Sequence, residues 1–354
     1  MAWDSPLTGG FDEAFGLPVQ RSTSPYEIST IIDLIPHIED LEIRNLQFVP
    51  LIVTPPPRQA ERRLRALRIV APPQPARDRY MPQFLSCFSS ITSLSLDDLS
   101  SPVTDDMPAP AARPDVAYLR LTFRRTECCS DWLNLVCANL STSFTSGLVL
   151  GGFPTHSHED DPVSHAVDRL IRRCPNLGSL TCLSPLPPSL VSYPSPCTTL
   201  RELRLSYEML YGVHGNATRL PDWSSLATAM RSPLVSAVTN LTLEIAVSVI
   251  RGAGDLEPDE ILLQRNARRV WTLLNWAAFG EFVGRLQSLT MDVRCQMFKE
   301  VRRSMDLGLQ QELQPWRGDQ GMYRETLEQV IRRQVSLTPD QKLAVLVSFP
   351  MPAS

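Results

Sequence analysis

The sequence predicts an α/β fold: a right-handed solenoid with a parallel sheet on its concave side, helices outside, and a helical C-terminal cap. Three observations carry this. The stretch Cys174-Pro175-Asn176-Leu177-Gly178-Ser179-Leu180-Thr181-Cys182-Leu183 compresses a helix stop, a turn and a buried strand into ten residues. The Pro175 ring cannot continue a helix, and Leu180 and Cys182 then alternate to one face of the strand. The core of that unit, apolar-x-x-Leu-x-apolar, recurs along the chain. Between the copies lie apolar residues at three-to-four spacing, the mark of amphipathic helices. One unit alone cannot bury its strand face; stacked copies can.

The copies are Ile38-x-x-Leu41-x-Ile43, Leu64-x-x-Leu67-x-Ile69, Ile91-x-x-Leu94-x-Leu96 and Val116-x-x-Leu119-x-Leu121. A weaker Leu148-x-Leu150 follows, then Leu177-x-x-Leu180-x-Cys182 and Leu200-x-x-Leu203-x-Leu205. Val238-x-x-Leu241-x-Leu243 and Leu286-x-x-Leu289-x-Met291 complete the set, and Leu343–Phe349 alternates as a last strand, with Leu346 as its anchor. From Leu41 to Leu203 the second anchors are 23 to 32 residues apart. Leucine-rich repeats have periods of about 20–29 residues and the core L-x-x-L-x-L, so the array is leucine-rich-repeat-like, a horseshoe in outline. The Asn or Cys that follows the strand in the consensus is mostly missing: Leu99, Arg124 and Glu208 stand near those points. The turns there must satisfy their backbone otherwise, which predicts irregular curvature.

Helices are expected at Met81–Phe88, Trp132–Leu140, Val163–Arg173 and Leu226–Met230. Ser130 and Asp131 would cap the second, and Asp161-Pro162 would open the third. Toward the C-terminus the spacing loosens, and the added length reads as helix: Pro258 to about Gly284, Met297–Leu313 and Met322–Arg333. The boundaries are an irregular leader at 1–34, an irregular repeat array at 35–295 with helical insertions after 206 and 246, and a cap at 296–354 that carries the last strand.

Composition narrows the function classes. The formal net charge is −4, which argues against a general nucleic-acid binder with its basic stripe. No run of 18 apolar residues exists, so no membrane span is expected. Residues 1–25 lack the apolar segment of a secretory signal, and the eight cysteines include no C-x-x-C. These are expected to be reduced thiols in a cytoplasmic or nuclear protein. Only Lys299 and Lys342 are lysines, so 32 of the 34 basic residues are arginines. The 31 prolines cluster between the apolar runs as loop punctuation.

With C-P-N-L-x-x-L-x-C-L at 174–183 and repeats of this length, the chain resembles the leucine-rich-repeat part of F-box proteins, the divergent fungal kind in particular, over roughly 35–300. No F-box segment is recognised ahead of the first repeat; Leu17-Pro18 is followed by Val-Gln-Arg-Ser-Thr-Ser-Pro. The resemblance implies a non-catalytic substrate-receptor module of a cullin-type ubiquitin ligase, with a protein partner, a link to the ligase adaptor and no cofactor. A stand-alone repeat scaffold unconnected to ubiquitin is the alternative.

In such an array the leucine anchors point inward, and the residue between them faces the concave side. Those residues are Glu42, Arg68, Ser95, Arg120, Val149, Thr181, Arg204, Thr242 and Thr290, flanked by Asp97, Tyr118, Glu202, Glu244 and Asp292. Arg68, Arg120 and Arg204 could form a ladder for an acidic or phosphorylated segment; cross-strand Arg–Glu pairing is the competing reading. Thr155-His156-Ser157-His158-Glu159-Asp160-Asp161 resembles the H-x-H-x-D-H zinc motif of metallo-β-lactamase-like hydrolases, with His156, His158 and Asp160 as weak metal candidates. Asp161 stands where that motif has its last histidine, and a polar loop leading into a helix explains the same residues. No G-x-S-x-G, G-x-x-x-x-G-K or G-x-G-x-x-G is present, so no catalytic residue is assigned.

Overall fold

In the computed structural model, the second leucines of successive copies stand opposite one another on neighbouring strands. The described residues are 2–3, 21–35, 37–44, 46–48, 62–71, 81–99, 113–152, 162–183, 196–212, 226, 229–251, 261, 276–302, 309–314, 320–334 and 338–349. The chain divides into two compact units. One is Met1–Thr181 with Pro187–Leu190, and the other is Cys182–Leu186 with Val191–Ser354. Both are α/β, and each strand pair described below is parallel, with one exception.

The first unit contains β1 (Ala2–Trp3), β2 (Arg21–Thr23), α1 (Pro25–Asp33), β3 (Asp40–Arg44), β4 (Leu46–Phe48) and β5 (Arg62–Val70). It continues with α2 (Met81–Leu85), β6 (Phe88–Leu99), β7 (Asp115–Phe123), α3 (Cys129–Asn139), β8 (Gly147–Gly151), α4 (Pro162–Arg172) and β9 (Ser179–Cys182). Its sheet runs β1-β3-β5-β6-β7-β8-β9, and β2 pairs separately with β4. Leu41, Leu67, Leu94, Leu119 and Leu148 form one row across the strands, and Ile43, Ile69, Leu96, Leu121 and Leu150 form the next. All ten are buried. With Phe84, Phe88, Trp132, Leu133, Val167 and Leu170, also buried, they make the core. Large aromatic and aliphatic groups removed from water in this way supply most of the stabilisation.

The second unit contains β10 (Glu202–Gly212), β11 (Asn240–Arg251), α5 (Trp276–Val283), β12 (Ser288–Arg302), β13 (Leu309–Gln314), α6 (Gln320–Gln334) and β14 (Lys342–Ser348). Leu203, Leu241 and Leu289 share a row. Leu343, and not Leu346, is level with Leu289. The other edge of β12 is divided: β14 pairs in parallel with its first half and β13 antiparallel with its second. Tyr323 of α6 meets Phe349 edge to face, ring centroids 6.2 Å apart.

A backbone device repeats with the leucines. At or near the start of a strand, two successive N–H groups donate to one carbonyl of the preceding copy. Arg65 and Ala66 share Glu39 O, Gly178 and Ser179 share Ser146 O, Thr239 and Asn240 share Arg201 O, and Gln287 and Ser288 share Thr239 O. Each acceptor lies two residues before its own second leucine, and so does the first donor of each pair. This fixes the register before the ladder begins, by satisfying groups that burial would otherwise leave unpaired.

Several expectations are corrected. The strands do not turn after the second anchor. β6 runs on to Leu99, β7 to Phe123 and β10 to Gly212, so Leu99 and Glu208 lie in strands, while Arg124 follows the end of β7 and its N–H donates to Leu99 O at 2.8 Å. Past 206 and 246 the chain continues as strand, β10 to Gly212 and β11 to Arg251, and the helical residues described in the two insertions come later, at 226 and 229–230 in the first and at 261 and 276–283 in the second. Of the helix expected over Met297–Leu313, the described residues are strand: 297–302 end β12 and 309–313 are all but the last residue of β13. The leader is not irregular throughout. α1 opens with a capping box, in which Ser24 Oγ accepts from the Glu27 N–H at 3.2 Å and the Ser24 N–H donates to the Glu27 carboxylate at 2.8 Å. α3 begins at Cys129 and has no side-chain cap, Ser130 and Asp131 lying within its first turn. The expected helix from Pro258 is described only at 261 and 276–283.

Candidate functional site

The residues between the anchors come to one exposed side of the strands, row upon row. Glu42, Arg68, Ser95, Arg120 and Val149 are aligned across β3, β5, β6, β7 and β8. Arg204, Thr242 and Thr290 are aligned across β10, β11 and β12, with Ala344 of β14 next in line. None of these residues is buried, nor is Thr181, although the Ser95 hydroxyl itself is, while the strand neighbours of each expected face residue are buried. Strand alternation explains this: consecutive side chains leave opposite faces, so a leucine two residues from another leucine puts the intervening residue in solvent.

The arginines on this side are paired. In the first unit the hub is Asp97, two residues beyond Ser95 and almost fully buried. Arg68 donates from Nε to one carboxylate oxygen at 2.8 Å, and Arg120 donates from Nε to the other at 3.0 Å. Thr122 Oγ1 adds a third donor at 3.1 Å. Arg68 also reaches Glu42 at 3.0 Å, and Glu42 accepts from Arg44 at 2.8 Å. The result is a continuous chain, Arg44–Glu42–Arg68–Asp97–Arg120, across four strands. Burial alone would raise the Asp97 carboxyl, but the hydrogen bonds from Arg68 and Arg120 outweigh it and hold it below the ordinary carboxylate range.

The second unit builds the same device around Glu244, two residues beyond Thr242. Arg204 pairs with it, Ser206 donates at 2.7 Å, and Arg294 approaches at 3.4 Å while holding Asp292 at 3.1 Å. Here too the donors overcome the effect of burial and lower the carboxyl's pKa. In both hubs an acid two positions beyond the face residue accepts from an arginine at the face position of the neighbouring strand. Of the two sequence readings for the arginines, the cross-strand pairing is therefore present in the fold. The signal that could have located the hubs is that diagonal, Asp97 against Arg68 and Arg120, and Glu244 against Arg204.

Around the first hub the backbone is special. Asp98 adopts φ 59° at a register shift between Leu96 and Leu99. Its N–H donates to Thr122 Oγ1 at 3.1 Å. Tyr118, two residues before Arg120, is exposed and lies over Gly147 of β8, where a Cβ would come within 2.5 Å of its ring.

His156, His158 and Asp160 lie outside the described residues. His165 is exposed. Among the described residues no group of three His, Cys, Asp or Glu could hold a metal ion. All eight cysteines are thiols. Burial pushes Cys128 up to about 11 and Cys182 and Cys295 up to about 12, the pattern of inert filling rather than of nucleophiles. Among the described residues no helix is long and apolar enough to cross a membrane. Compared with family models, curated proteins and solved structures, the chain matches none.

Proposed function

We propose that this chain is a non-catalytic protein-recognition module, and that its partner docks on the unburied rows of the strands. The observation that supports this most is the register itself. Residues as different as Glu42, Arg68, Ser95 and Arg120 are held level on consecutive parallel strands, each between two buried anchors. Rigid strands presenting a broad polar surface are what repeat proteins use for binding. The finer reading is a leucine-rich-repeat-like right-handed solenoid, a horseshoe whose rows lie on the concave side. Its resemblance to F-box substrate receptors makes a cullin-ligase adaptor an expected further partner. Reduced cysteines agree with a cytoplasmic or nuclear location.

The test is affinity purification of the full chain from its own cells, quantified by mass spectrometry, beside a variant with Val149→Arg and Thr242→Arg. The partner should be retained by the wild type and lost from the variant, with thermal melting unchanged. Retention by both would contradict the reading. Presence of a cullin adaptor among the retained proteins selects the ubiquitin-linked receptor; its absence selects a stand-alone scaffold.

A further inference from the structure

We infer that the strand face of the first unit binds a carboxylate-rich (Asp/Glu) segment of its protein partner through Arg120 and Arg68, an inference that rests on the recognition reading above. The chain Arg44–Glu42–Arg68–Asp97–Arg120 holds three cations and two anions, but they are not equally presented. The arginine side chains are 45%, 48% and 46% exposed, against 20% for Glu42 and 7% for Asp97. The acids form the floor and the guanidinium groups form the top. What a partner meets is cationic, although the chain as a whole carries a formal charge of −4.

The donor geometry points the same way. Asp97 holds both arginines by Nε. That leaves both Nη groups of Arg120 without a hydrogen bond among the described residues, and leaves Nη2 of Arg68 likewise, its Nη1 being on Glu42. A guanidinium anchored at Nε by a buried acid is fixed in direction, so little side-chain entropy remains to be lost when the outer donors engage a carboxylate. The two arginines lie on strands separated only by β6, roughly 10 Å apart at the usual strand spacing. They therefore meet acids spaced along a segment rather than one anion. Tyr118, exposed beside Arg120 on the same side of β7, offers apolar surface to the stems of such a segment.

The experiment is fluorescence anisotropy of a labelled Glu-rich peptide with the full-length protein, with Gln-for-Glu, Lys-for-Glu and phosphoserine-for-Glu peptides of equal length as comparators. The Glu-rich peptide should bind, the Gln and Lys peptides should not, and affinity should fall as salt rises. Arg120→Lys keeps a cation beside Asp97 but removes the fork; it should weaken binding about tenfold at unchanged melting temperature, while Arg332→Lys on α6 should change nothing. Equal binding of Glu and Gln peptides, or binding of the phosphoserine peptide alone, would overturn the inference. A partner captured through the strand rows by a protein that ignores the Glu-rich peptide overturns this assignment and leaves the recognition reading intact. Loss of partner capture from neither the row variant nor Arg120→Lys would overturn both.

Discussion

Arg120 donates from Nε to Asp97 across 3.0 Å, from the face position of β7 to the residue two beyond the face position of β6. Arg68 does the same from the other side at 2.8 Å. One nearly buried acid thereby orients two exposed cations, and the second unit repeats the arrangement at Glu244. The two hubs have consequences for stability that differ by residue and by pH.

Removing the acid and removing its donors should not cost the same. Asp97→Ala frees two arginines that are already half in water, so a loss of about 1–2 kcal/mol is expected. The double variant Arg68→Gln, Arg120→Gln leaves a desolvated carboxylate without a cation and should cost more, about 3 kcal/mol. Urea denaturation of the three proteins measures the order. Because the carboxyl of Asp97 is depressed in the folded state, its contribution is complete above the unfolded value of about 4 and is lost as pH falls through the folded value. The stability gap between wild type and Asp97→Asn should therefore be constant near neutrality and close below about pH 4.

Alternation along β11 makes neighbouring substitutions unequal. Leu241 is an anchor, 1% exposed, and Leu241→Ala should cost about 2–5 kcal/mol through lost burial and the cavity left behind. Thr242→Ala, one residue on and facing solvent, should stay within about 0.5 kcal/mol. Equal effects in chemical denaturation would show that the strand is wrongly faced.

Gly152 follows β8 at φ 78°, and a Cβ there would lie 1.9 Å from the carbonyl oxygen of Phe123. Both the conformation and the space exclude a side chain. Gly152→Ala should lower stability by more than about 1 kcal/mol, read as a fall in melting temperature.

Cysteine reactivity should divide by burial. Cys87 and Cys197 are partly exposed and the other six thiols are buried. Iodoacetamide should modify two residues in the native protein and all eight in denaturant, by intact mass. Rapid native modification of Cys128 or Cys182, whose thiols burial raises well above neutrality, would contradict the packing.

Much of the fold was legible because its anchors are leucines at a steady interval. The rows Leu41–Leu67–Leu94–Leu119–Leu148 and Leu203–Leu241–Leu289 are the structural register itself. What was misread has local causes. Met297, Val301, Leu309 and Leu313 fall at spacings of four or multiples of four and imitate a helix, yet Val293, Cys295 and Met297 are buried at every second position, the period of a strand. The capping box at Ser24-Pro25-Tyr26-Glu27, followed by Ile28, Ile31, Ile32 and Ile35 at helical spacing, was present in the leader as a helix start and was passed over. The face residues were correctly placed by alternation. Cross-strand pairing of the arginines was legible as one of two readings, and Arg68 meets Glu42 in its own row; the hub acids Asp97 and Glu244 were not, because each meets its arginines on a diagonal between strands, two positions out of row.

The central claim is that partners meet the unburied strand rows. It is tested most directly by a photo-crosslinking amino acid placed at Val149 or Thr242, compared with the same group at Arg169 on α4 or Arg333 on α6, all in the full-length protein with its captured partner. The account predicts covalent partner adducts from positions 149 and 242 and none from the two helix positions. Adducts from 169 or 333 alone would contradict it.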